Sequence, residues 1–168
     1  IADSKALTIT NLTNNDSAKI HLTTGTLIVP TYTGSGDIYL YKGSNLTITN
    51  YAGTGTIYLE EGASLTIGNQ ESATSTIAKI EFKKTERVDD FATISTNGNL
   101  TISNATYNNA DIQTSGNITL PETTVTTNEI GNLNVASGTT SIETINANSI
   151  SVETSASLEV SSSITSQS

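Results

Sequence analysis

Carboxylate pairs are the residues of this sequence best suited to chemistry. Glu60-Glu61 and Asp89-Asp90 are each adjacent in the chain. A polysaccharide-cleaving site needs acids that converge on one sugar bond. Neighbours in a strand point to opposite faces, so neither pair converges by itself. No Lys or Arg follows Arg87 to balance a charged intermediate. His21 is the only histidine, and nothing in the pattern brings it a partner for metal or triad chemistry. The absence of Cys removes thiol catalysis, disulfides and Cys-ligated zinc together. The GGxGxD calcium repeat is also missing. The expectation is a non-enzymatic protein with no catalytic residues, no metal site and no cofactor.

Aromatic residues offer a different chemistry. His21, Tyr39 and Tyr58 each sit between two aliphatic residues, with Tyr41 two positions beyond Tyr39. If the aliphatics point inward, these rings point outward at one equivalent position. A strip made of His21, Tyr39, Tyr41 and Tyr58 either stacks to stabilise a ladder, which the pattern favours, or meets sugar rings or a protein partner.

What must position these rings is a repeat. Residues 32–50 and 51–69 match at eleven of nineteen positions, including Ile38/Ile57, Tyr39/Tyr58, Leu40/Leu59, Leu46/Leu65 and Ile48/Ile67. Self-similarity at a fixed period is the mark of a stacked-repeat architecture. Within a unit, Ile38-Tyr39-Leu40 and Leu46-Thr47-Ile48 alternate apolar and polar, as half-buried strands do. Gly43 separates the two strands, and Gly34 and Gly36 read as turns between units. One unit buries too few side chains to offset the entropy of ordering it, so copies must stack on one another.

The same apolar-polar-apolar phrase recurs at Leu7-Ile9, Leu27-Val29, Leu46-Ile48, Leu65-Ile67, Leu100-Ile102, Ile118-Leu120, Leu133-Val135, Ile150-Val152 and Leu158-Val160. Spacings are 20, 19 and 19, then a jump of 35, then 18, 15 and 17, and a final step of 8. The pattern predicts an all-β fold: one parallel β-solenoid domain over residues 1–168, with coils of about 19 residues. About nine coils would make a rod roughly 40 Å long. Lys79–Phe91 interrupts the period and holds four of the seven bases. It reads as a charged insertion around residues 70–91, a loop or hairpin with room for a short helix. The alternative fold is an antiparallel β-sandwich fibre subunit.

Charge bounds the partners. The net charge is −9, and residues 88–168 carry eight acids and no base. Such a surface repels nucleic-acid phosphates and anionic lipid headgroups. No apolar run is long enough to span a bilayer as a helix. The expectation is therefore no nucleic acid and no membrane insertion. Ser and Thr together number 52 and Lys is scarce, a composition common among exported bacterial proteins. The expected location is extracellular, at the bacterial cell surface, with any leader segment removed or outside this sequence.

The phrases GTIYLEEGASLTIGN, GNLTISN (98–104) and GNITL (116–120) resemble the β-helical stalks of bacterial autotransporter passengers and filamentous-haemagglutinin-like adhesins. The resemblance spans about residues 5–160. It implies a right-handed β-helix, secretion, and a structural or adhesive role as a rod-like stalk or binding scaffold. The partner would be a glycan or protein of a host or neighbouring cell. The alternative is a self-assembling filament or surface-layer subunit that associates with itself through open solenoid ends. A polysaccharide-active β-helix enzyme comes third.

Three further motifs read as background. LPETT at 120–124 lacks the glycine and apolar tail of a sortase signal, and Pro121 reads as a strand end. Six N-x-S/T sequons, at Asn11, Asn15, Asn45, Asn99, Asn104 and Asn117, are about what this composition gives by chance. Outward Thr8, Thr47, Thr66, Thr101 and Thr119 suggest a threonine row suited to ice, but it lapses at Ile28 and Asn134.

Overall fold

A computed structural model describes residues 5–68, 74–83, 92–107, 110–114, 116–120 and 130–166. Eighteen strands follow in order. They are β1 (Ala6–Thr8), β2 (Asn11–Asn14), β3 (Lys19–Leu22), β4 (Gly25–Gly34), β5 (Asp37–Leu40), β6 (Ser44–Gly53), β7 (Thr56–Glu60), β8 (Ser64–Ile67) and β9 (Thr74–Ile77). Then come β10 (Lys79–Lys83), β11 (Ala92–Thr96), β12 (Asn99–Ile102), β13 (Ala105–Thr106), β14 (Ala110–Thr114), β15 (Ile118–Leu120), β16 (Ile130–Val135), β17 (Gly138–Val152) and β18 (Ala156–Ser166). Every pairing among the described residues is parallel, which excludes the antiparallel sandwich. The chain is a parallel β-solenoid.

A coil passes three faces. In β4, Leu27 and Val29 are buried, the chain bends after Pro30, and the inward parity resumes at Tyr32. The strand thus covers a first face and then a second. The next strand, β5, forms the third face, with Ile38 and Leu40 inward. The first and second faces belong to one 13-stranded sheet, and β3, β5, β7, β10 and β13 make a separate five-stranded sheet. Passes of the first face run β1, β4, β6, β8, β11, β14, β16, β17, which makes about seven turns. At ~4.8 Å per turn the stack is roughly 34 Å long.

Like residues stack through the core. Leu27, Leu46 and Leu65 are in register on the first face, as are Ile38 and Ile57 on the third. Ile57, Leu59, Leu65 and Ile67 are fully buried. Burying such a side chain contributes about 1.5–3 kcal/mol, and each coil supplies the lid and floor for its neighbours.

Counting coils from the apolar phrase alone mixes two faces. Leu65 pairs with Ile94 on the first face, whereas Leu100 pairs with Ser75 on the second. Leu158 pairs with Thr140, also on the second face, while Ile150 belongs to the first. The apparent jump of 35 and the step of 8 are crossings between faces, so the nine expected coils reduce to about seven turns.

The segment around 70–91, expected to be a charged insertion, is partly regular. The strand Thr74–Ile77 pairs with β12, and Lys79–Lys83 pairs with β7. Ile80 and Phe82 alternate inward between Lys79, Glu81 and Lys83, so Lys79–Lys83 is a strand and not a helix or loop. Residues 69–73 and 84–91, with Asp89 and Asp90, lie outside the described residues, as do 121–124 of the LPETT motif.

Candidate functional site

The aromatic strip lies on the third face. β3, β5 and β7 place His21 opposite Tyr39 and Tyr39 opposite Tyr58. Their inward neighbours Ile38, Leu40, Ile57 and Leu59 are anchored in the core, which fixes the outward direction of the rings. Ring centroids are 4.7 Å apart for His21 and Tyr39, and 4.5 Å for Tyr39 and Tyr58. The interplanar angles are 6° and 11°, so the rings stack face to face. Tyr41 flanks this column: its ring is 5.8 Å from that of His21, and its hydroxyl lies 2.9 Å from His21 Nδ1. All four residues of the expected strip are together.

Two ammonium groups flank the column. Lys19 Nζ lies 5.6 Å from the centroid of Tyr39, and Lys83 Nζ lies 4.5 Å from that of Tyr58. Both are within cation–π range. Lys83 stands opposite Glu60, and Glu81 opposite Tyr58, so the aromatic column ends on a carboxylate. Lys79 Nζ pairs with Glu81 at 2.6 Å, and that hydrogen bond holds the Lys79 ammonium above its ordinary pKa. A shallow cleft of about 140 Å³ is lined by Tyr39, Leu40, Tyr41, Tyr58, Glu60 and Lys83. Lysines 83 and 79 were not legible as part of the strip, because the broken period hid the strand that carries them.

The stacking decides what the strip can offer. Each ring covers a neighbour's face, so ring edges and hydroxyls, with the flanking ammonium groups, are what the surface presents. A sugar that needs an open aromatic face finds it covered on Tyr39.

Comparison with protein-family models, curated proteins and solved structures finds no match.

The acidic residues take separate places. Glu61 is buried at 1% exposure beside Gly62, while Glu60 points outward from β7. The adjacent pair diverges: Glu60 closes β7 and Glu61 lies in the turn that follows. A groove of about 620 Å³ on the second face is lined in part by Leu120, Ile142, Val160, Glu143 and Glu159. Glu143 and Glu159 lie more than 50 residues beyond either expected pair, and the pairing of β17 with β18 brings them to one groove. Glu159 Oε2 accepts a hydrogen bond from Ser141 Oγ at 3.3 Å. Among the described residues no group of three His, Cys, Asp or Glu could hold a metal ion.

A second aromatic stack was missed by sequence reasoning. Tyr32 and Tyr51 lie in register inside the solenoid, 5.2 Å apart and 4° from parallel. The Tyr32 hydroxyl donates to Gly36 O at 3.3 Å. Burial raises the pKa of both phenols above the ordinary value. The matched Tyr-x-Gly-x-Gly phrase at 32–36 and 51–55 was the available signal. Its glycines are there partly for close stacking: a Cβ on Gly55 would meet Gly36 O at 2.2 Å. Gly43 is a turn, with φ +81°.

Proposed function

We propose that the chain is a non-catalytic rod module of a secreted bacterial surface protein, a stalk or scaffold that presents its lateral third face to partners. The observation that carries this reading is the unbroken parallel ladder of the first face from β1 to β17. A ladder of this kind transmits position along its axis and holds side chains at fixed intervals, which suits a spacer or display surface. The composition, rich in Ser and Thr and free of Cys, fits an extracellular setting.

The partner contact assigned to this rod is the strip of His21, Tyr39, Tyr41 and Tyr58 with Lys19 and Lys83. Phenol hydroxyls and two ammonium groups favour a glycan or protein surface that bears carboxylates. A glycan array probed with the 168-residue chain tests this. Binding to acidic glycans that falls at least tenfold in Lys83→Ala and Tyr58→Ala supports it; unchanged binding in both variants removes the strip from the proposal.

A second reading, end-to-end self-association, is favoured by one observation. Leu7, Val152 and Ile164 are 45%, 43% and 58% exposed on the first and last coils. Lys5 and Lys19 lie near one end, and Glu153 and Glu159 near the other. Electron microscopy of the 168-residue chain separates the two readings: filaments support association, and isolated short rods support the spacer.

A further inference from the structure

We propose that Tyr39 and Tyr58 are an oxidative cross-linking site, at which a one-electron oxidant joins two coils through a dityrosine bond. The inference stands on the stack itself and is independent of the proposed function.

The sequence first directs oxidation to tyrosine. Cys, Met and Trp are all absent, and these are the side chains that ordinarily react first. Three of the six tyrosines, Tyr32, Tyr51 and Tyr107, are buried. Forming a tyrosyl radical requires loss of a proton as well as an electron, and these interior phenols have their pKa values raised by burial. Tyr39, Tyr41 and Tyr58 are half-buried on the third face and reach solvent.

Geometry then selects the pair. Tyr39 and Tyr58 are in register on adjacent strands, with centroids 4.5 Å apart. That is close to the separation in a joined biaryl, two ring radii plus one carbon–carbon bond. Face-to-face rings must tilt to bring their ortho carbons together, and their solvent-facing edges leave room for it. Tyr41 instead meets the ring and Nδ1 of His21.

The chemistry balances with a peroxidase and hydrogen peroxide as oxidant. Each phenol gives up one electron and one proton. The two radicals form a bond between ring carbons ortho to the oxygens, and the hydrogens on those carbons move to oxygen, restoring two phenols. The pair has lost two hydrogen atoms, and peroxide is reduced to two waters. The product is a covalent staple between the second and third coils, on a chain that has no cysteine to make one.

The test treats the folded 168-residue protein with peroxidase and hydrogen peroxide, with free tyrosine in a parallel tube to show that the oxidant is active. Trypsin then separates residues 20–42 from 43–79, because cleavage follows Lys19, Lys42 and Lys79. The expected result is a dityrosine-fluorescent monomer, lighter by two hydrogens, in which these two peptides are joined. The link should vanish in Tyr39→Phe and in Tyr58→Phe, which keep the stack, and persist in Tyr41→Phe and Tyr51→Phe. Its yield should fall several-fold in denaturant. No link, a link that survives Tyr39→Phe or Tyr58→Phe, a link lost in Tyr41→Phe, equal yield from the denatured chain, or intermolecular dimers alone would each overturn the proposal.

Discussion

Tyr39 and Tyr58 lie in register on adjacent parallel strands, their rings 4.5 Å apart and 11° from parallel. Nineteen residues of sequence separate them. This contact exists only because one coil sits directly on the next. Its energetic weight is measurable. Tyr39 stacks on both His21 and Tyr58, while Tyr58 has one ring partner among the described stacks. A stacked pair contributes about 0.5–1.5 kcal/mol beyond area. Tyr39→Ala should therefore destabilise more than Tyr58→Ala, by about 1 kcal/mol, in urea denaturation. Equal losses would mean that the His21 stack contributes nothing.

Interior and exterior positions of one strand should separate sharply. Leu65 is fully buried in β8, and Thr66 faces outward beside it. Leu65→Ala should cost about 2–5 kcal/mol through lost burial and the cavity left behind. Thr66→Ala should stay within about 0.5 kcal/mol. Chemical denaturation of both variants checks the alternation.

The two kinds of glycine should respond differently to alanine. Gly43 has φ +81°, and the nearest atom to an added Cβ is Thr24 Oγ1 at 3.9 Å. Gly43→Ala should cost about 1–2 kcal/mol, the strain of a left-handed residue. At Gly55 the added Cβ would meet the carbonyl oxygen of Gly36 at 2.2 Å. Backbone must move there, so Gly55→Ala should be the more damaging by thermal melt.

Stability should fall in alkali. Burial raises the pKa values of Tyr51 and Tyr107 above the ordinary 10.0. Below about pH 10 both phenols are protonated in the folded and unfolded chain, and their contribution is fully present. Above it the unfolded chain loses protons that the folded chain keeps, so the unfolding free energy drops as pH rises. A melting-temperature series across that range should show the drop, and it should be shallower in Tyr51→Phe and Tyr107→Phe.

The sequence made the N-terminal coils legible because Leu, Ile and Tyr repeat there at an interval of 19. Registers such as Leu46 with Leu65 follow directly from that interval. Farther along, the core ladder changes chemistry. The first face continues through Ala92, Ile94 and Thr96 to Ala110, Ile112 and Thr114, and the two threonines are buried. Thr114 Oγ1 meets Thr140 Oγ1 at 3.3 Å across the interior. Buried hydroxyls that satisfy one another are compatible with a core, but an apolar pattern cannot find them. Tyr32 and Tyr51 escaped for another reason: the inward parity shifts at the bend, so the alternation restarts out of phase. The aromatic strip was visible because its neighbours are strong aliphatics. Lys83 and Lys79 were not, because β10 pairs with β7 at an interval of 23 residues and not 19 (Lys79 with Thr56).

The central claim is that successive coils stack in register along one axis. An outward column runs Thr8, Ile28, Thr47, Thr66, Ser95, Gln113, Asn134. The chain has no native cysteine, so spin labels can be placed cleanly. Pulsed electron paramagnetic resonance on Thr8→Cys with Ser95→Cys should give about 19 Å between backbones, four coil steps. Thr8→Cys with Asn134→Cys should give about 29 Å, six steps. Distances that do not rise by equal steps along this column would contradict the stacked solenoid.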